Sequence, residues 1–98
     1  MRVINKLVGL VERLYGETEA YIDNPSDAQI WYNRGYANGV VAFLQAQGFA
    51  DKLEGLSLDA AGLHDNERIM EWQKAYHHGF EMGERESAEV HQGPVIKS

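Results

Sequence analysis

The chain contains no cysteine, two prolines and nine basic residues, and its apolar residues never run together for long. The missing cysteine excludes a disulfide framework, a thiolate metal site and a cysteine nucleophile, while leaving the redox compartment open. No segment approaches the roughly 20 apolar residues of a membrane span. Lys6, Glu12 and Arg13 interrupt the apolar residues near the N-terminus, so no secretory core forms there, and a cytoplasmic protein is expected. The scarcity of Lys and Arg, with a net charge of -6, argues against a phosphate-binding surface and direct nucleic-acid binding. The acidity is uneven. Up to Ala50 there are five acids and four bases, whereas from Asp51 onward there are ten acids and five bases.

What is present is helical patterning. In residues 2–22, Val3, Ile4, Leu7, Val8, Leu10, Val11, Leu14, Tyr15, Thr18 and Ile22 recur at i, i+3 and i+4, predicting an amphipathic helix. Asn24-Pro25 ends it, because the residue before proline is driven out of the α region. Ser26 with Gln29 reads as a capping box for a second helix over 27–47, with Gly48 as its left-handed C-terminal cap. A short helical turn over 49–54 and a loop follow, then a third helix over 66–88 capped by Asp65. The expected fold is all-α: a three-helix bundle in one domain, 1–88, with a tail at 89–98. At 98 residues and 44% hydrophobic content the core is small, so a homodimer that completes its burial is also expected.

The second and third helices share a pattern. Tyr32, Gly35, Tyr36 and Gly39 recur 44 residues later as Tyr76, Gly79, Phe80 and Gly83, by old duplication or by one packing solution reached twice. Four helical glycines cost about 3 to 4 kcal/mol relative to alanine, a large share of the 5–15 kcal/mol of a typical domain. A small-xxx-small ridge that lets two backbones approach offsets such a cost. A phosphate cradle would need a strand before each glycine turn, and neither copy has one. The second helix is also apolar on another arc, Ile30, Ala37, Val40, Val41 and Leu44, which makes it the central helix.

Two groups are candidates for contact. Trp31, Arg34 and Asn38 share the most polar arc of the second helix. Trp31 is either a surface hot spot beside an arginine or buried against the loop after Gly55 or within a dimer. On the third helix, Glu71, His77, His78 and Glu81 lie on the polar side. His77 and Glu81 stand one turn apart, but two ligands do not make a zinc site, and a solvated face is the better reading. Neither a catalytic set nor a cofactor motif is present: the glutamates lack a pocket to shift their pKa, and the serines lack a nucleophile-elbow setting.

The stretch Trp31-Tyr32-Asn33-Arg34-Gly35-Tyr36-Ala37-Asn38-Gly39 resembles the aromatic-glycine helices of short accessory proteins of bacterial viruses. The resemblance implies a protein that binds and disables a host protein, such as a component of CRISPR defence. Three functions are therefore expected in order: a non-enzymatic interaction protein with a basic-surfaced partner; a small-ligand binder or nucleotide-sequestering protein with Tyr32, Tyr36, Arg34 and the His pair lining a pocket between protomers; and a helix-turn-helix regulator.

Overall fold

A computed structural model describes residues 2–24, 26–59 and 71–91, and all its regular structure in those residues is helical, with no strand. Helix α1 spans Arg2–Glu17, α2 spans Ala28–Ala46 and α3 spans Glu71–His91. Two 3-10 turns, Tyr21–Asp23 and Ala50–Leu53, punctuate the connections. None of these helices is long and apolar enough to cross a membrane. Residues 66–70 of the expected third helix, its Asp65 cap and most of the tail lie outside the described residues. The helix itself runs to His91, past the expected end at 88.

Helix α1 ends five residues before the expected boundary. At its C-terminus the Thr18 hydroxyl donates to the Leu14 carbonyl at 2.6 Å, and the chain then leaves the helical path. That break swings Tyr21 into the interior and turns Ile22, expected on the apolar face, out to 59% exposure. The cap of α2 is also one residue later than expected. Asp27, rather than Ser26, accepts the Ile30 N–H at 3.2 Å, while Gln29 donates its side-chain amide to Asn33 instead of reaching back. At the other end Gly48 adopts φ +88°, and the Phe49 N–H closes on the Leu44 carbonyl at 2.8 Å, a Schellman-type stop.

The two apolar sides of α2 find different partners. Ala37, Val40, Val41 and Leu44 pack with Ile4, Leu7, Val11 and Leu14 of α1 in the main core, which Leu53 closes. The glycine side meets α3. A Cβ placed on Gly35 would lie closer than 3.0 Å to the backbone of Tyr76, and one on Gly79 would collide with the carbonyl of Tyr32. One step further along, Gly39 meets the carbonyl of Phe80 and Gly83 that of Tyr36. Residue numbers rise together on both sides, so α2 and α3 are parallel. Each glycine faces the carbonyl of the residue three places before its counterpart glycine. The seam therefore has pseudo-twofold symmetry, with the 44-residue repeat of the sequence as its operator.

Such an approach leaves no room for side chains at the crossing and places glycine Cα–H groups against carbonyl oxygens, a weak but repeated attraction. The aromatic residues beside the glycines flank the seam. Tyr36 donates a hydrogen bond to Glu86, tying the two helices on one side, and the rings of Tyr32 and His78 lie 5.6 Å apart. Ser87 continues the small-residue spacing of Gly79 and Gly83. It is buried, and its hydroxyl has no partner among the described residues.

Candidate functional site: a buried arginine and its carboxylate

The polar arc of α2 is the part of the molecule that departs most from a helical wheel. Trp31, Arg34 and Asn38 are 2%, 7% and 8% exposed, so none presents a surface for contact. The reason is tertiary. Tyr21 comes in from the turn after α1, the segment 55–59 folds over the arc, and Trp72 and Tyr76 close it from α3. Trp31 sits in a second, aromatic cluster with Tyr21 at 4.7 Å and Trp72 at 4.2 Å between centroids, and donates its indole N–H to the Asn24 carbonyl at 3.1 Å.

Arg34 organises what lies beneath. Its Nη1 donates to the Thr18 hydroxyl at 2.9 Å and to the Tyr15 carbonyl at 3.3 Å, both at the point where α1 stops. The guanidinium lies 3.7 Å from the Tyr15 ring centroid and 4.8 Å from that of Tyr21, a stacked position that arginine occupies better than lysine. Its remaining edge forms a fork. Nε donates to Asp59 Oδ2 at 3.0 Å and Nη2 to Asp59 Oδ1 at 3.1 Å.

Asp59 takes two further hydrogen bonds on Oδ2, from Asn38 Nδ2 at 2.9 Å and from the Tyr21 hydroxyl at 3.2 Å. Asn38 also donates to the Tyr76 hydroxyl at 2.7 Å, and its carbonyl accepts from the Tyr15 hydroxyl. The Tyr15 oxygen in turn accepts the backbone N–H of Asp59 at 3.0 Å. The Asp59 carboxylate thus joins α2 to the turn after α1, and the network reaches α1 through the Asp59 N–H and Tyr15 and α3 through Asn38 and Tyr76. Burial by itself would raise the Asp59 carboxyl, but the Arg34 and Asn38 hydrogen bonds and the Arg34 charge hold it below the usual carboxylate value. Burial pushes the Tyr76 hydroxyl up to about 12, and the hydroxyls of Tyr15 and Tyr21 are also raised, burial again coming first. These tyrosines are neutral hydrogen-bonding groups at neutral pH.

Beside this knot lies a cleft of about 350 Å³, lined by Glu12, Tyr15, Gly16 and Glu19, by Arg34, and by Gly55, Leu56 and Ser57. Of the α3 candidates, Glu71, His78 and Glu81 are exposed, and His77 is half-buried with its ring 5.6 Å from that of Tyr76. His91 packs edge-on to Phe43 and Phe49. Among the described residues, no group of three His, Asp or Glu side chains could hold a metal ion. The ligand set expected between protomers is not assembled within the chain: Tyr32 lies against His78, whereas Arg34 is enclosed by Tyr15, Tyr21 and Asp59.

Comparisons with protein-family models, curated proteins and solved structures find no match to this chain.

Tyr15, Thr18, Tyr21 and Asp59 are the members of the site that sequence reasoning missed. One signal was available. The apolar stripe read along residues 2–22 is aliphatic for three turns and then changes to Tyr15 and Thr18, with Tyr21 close behind, three hydroxyls that require polar partners once buried. Asp59 carried no comparable signal, because only a loop conformation brings it to Arg34.

Proposed function

We propose that this chain is a non-enzymatic protein-protein interaction module that works through the acidic outer side of α3. The carrying observation is how its polar groups divide. The interior ones, Arg34, Asp59, Asn38, Tyr15 and Tyr21, bond to one another, whereas Glu71, Glu81, Glu84 and Glu89 of α3 are exposed. Helix α3 carries five acids and two bases, Lys74 and Arg85, which favours a partner with a basic surface and an encounter sensitive to salt. His77 and His78 border that surface. Trp31, Arg34 and Asn38 have no place in it, being buried.

In this reading the partner is a protein of a bacterial host, disabled by a viral accessory protein in the cytoplasm, with a CRISPR component as one target. The module acts as a homodimer. The test is an affinity pull-down from host extract at rising salt, with Glu81→Lys/Glu84→Lys beside the unaltered chain. A partner retained at low salt, released at high salt and lost with the double substitution is expected. Recovery of nothing, or of a partner indifferent to both changes, sinks the proposal.

The cleft beside Arg34 favours a second reading, a small-ligand or nucleotide-sequestering protein. A thermal-shift screen with nucleotides separates it, since a true ligand raises the midpoint with the logarithm of its concentration once that exceeds the dissociation constant. The helix-turn-helix reading lacks a recognition helix, because the segment after Gly48 is a four-residue 3-10 turn.

A further inference from the structure

Arg34 is held in place almost independently of Asp59. Two acceptors, the Tyr15 carbonyl and the Thr18 hydroxyl, and two aromatic faces, Tyr15 and Tyr21, fix the guanidinium from the end of α1 and the turn after it. The fork and the flanking donors, Asn38 Nδ2 and the Tyr21 hydroxyl, all converge on the position of one carboxylate. The group filling that position arrives on a separate segment, which starts at Gly55 with φ +102°, a backbone state that glycine adopts readily. Leu56 and Leu58 rest half-buried on the core, and Asp59 is the anchoring carboxylate. The cleft lined by Arg34, Tyr15 and residues 55–57 runs alongside this strap and reaches the arginine from solvent.

We propose that Arg34, Asn38 and Tyr21 form a preorganised carboxylate receptor, that Asp59 is its built-in ligand on a strap hinged at Gly55, and that a free small carboxylate binds there once the Asp59 side chain is removed. The receptor matches a planar two-oxygen anion: one oxygen meets Nη2, and the other meets Nε, the Asn38 amide and the Tyr21 hydroxyl. The inference stands apart from the interaction reading, because it concerns the buried side of α2 and does not involve the outer face of α3.

The experiment is chemical rescue in the full chain. Asp59→Ala lowers the thermal midpoint. Sodium formate or acetate then raises that midpoint by several degrees more than equal concentrations of sodium chloride, increasingly with concentration. The unaltered chain, its receptor filled, gains nothing beyond the chloride effect. In Arg34→Lys/Asp59→Ala the excess disappears, because an ammonium cannot offer the fork. If Asp59→Ala does not fold in chloride, Asp59→Ser, which keeps a short polar side chain, is carried through the same series. Equal responses to carboxylate and chloride would overturn the proposal. So would a carboxylate excess in the unaltered chain, or one that survives Arg34→Lys, since either places the binding elsewhere.

Discussion

The glycine seam between α2 and α3 and the polar knot around Arg34 lie on the same central helix and hold it by opposite means. In the seam, side chains are absent where the helices cross, and two backbones touch. In the knot, long polar side chains reach across gaps between elements, and four hydrogen bonds from Arg34, Asn38 and Tyr21 converge on one carboxylate. The seam depends on shape and is indifferent to charge. The knot depends on charge, with the Arg34 guanidinium set against the Asp59 carboxylate. What the contrast teaches is that a small helical protein with few aliphatic residues to spare can join its elements by removing side chains at one interface and by fully pairing buried polar groups at the other.

Substitutions break the comparison in order of size. Arg34→Ala is expected to cost the most, about 3 to 5 kcal/mol in denaturant unfolding, because Asp59 is left buried without its partner. Next comes Gly39→Ala. Alanine normally improves a helix by about 1 kcal/mol, but here the methyl meets the backbone of Phe80 and Glu84, and overpacking against an element that cannot swing aside leaves a net loss of about 3 kcal/mol.

A pH series sharpens the contrast. Asp59 has a lowered value in the folded chain, so its contribution is complete above pH 3.8, its ordinary value, and is lost as the pH falls through the lowered one. Tyr76 is raised, so its contribution is complete below pH 10.0 and is lost as the pH climbs toward about 12. Denaturant melts across pH should therefore show stability falling at both extremes. Gly39→Ala should shift that profile down without changing its shape, whereas Asp59→Asn should flatten its acid limb. An unchanged acid limb in Asp59→Asn would remove the carboxylate from the account. The smallest effect is a gain. Gly9 of α1 has nothing within 4 Å of where a Cβ would lie, so Gly9→Ala should stabilise by about 0.5–1 kcal/mol. A loss there would mean that helical glycine is under a constraint other than close packing.

The three helices and the glycine ridge were legible because each depends on residues close in sequence, while the pairing of the two ridges with each other was not. Apolar spacing in α1, the Asn24-Pro25 break and Gly48 are local signals, and the matched spacing of Gly35, Gly39, Gly79 and Gly83 encodes an approach that only glycine permits. The end of α1 slipped because Thr18 bonds back to Leu14 and takes Arg34 from α2, before Ile22 is reached. The candidate surface was misplaced for the same reason. A helical wheel ranks Trp31, Arg34 and Asn38 by polarity, but whether a polar arc faces solvent depends on what folds over it.

The sequence by itself thus determined the helical class, the central position of α2 and the glycine ridge that admits another backbone, since backbone propensity and helical periodicity act over a few residues. Only the tertiary structure decided that Arg34 meets Asp59, 25 residues away, because that pairing rests on the course of a loop and on the desolvation that forces a buried guanidinium to find a carboxylate.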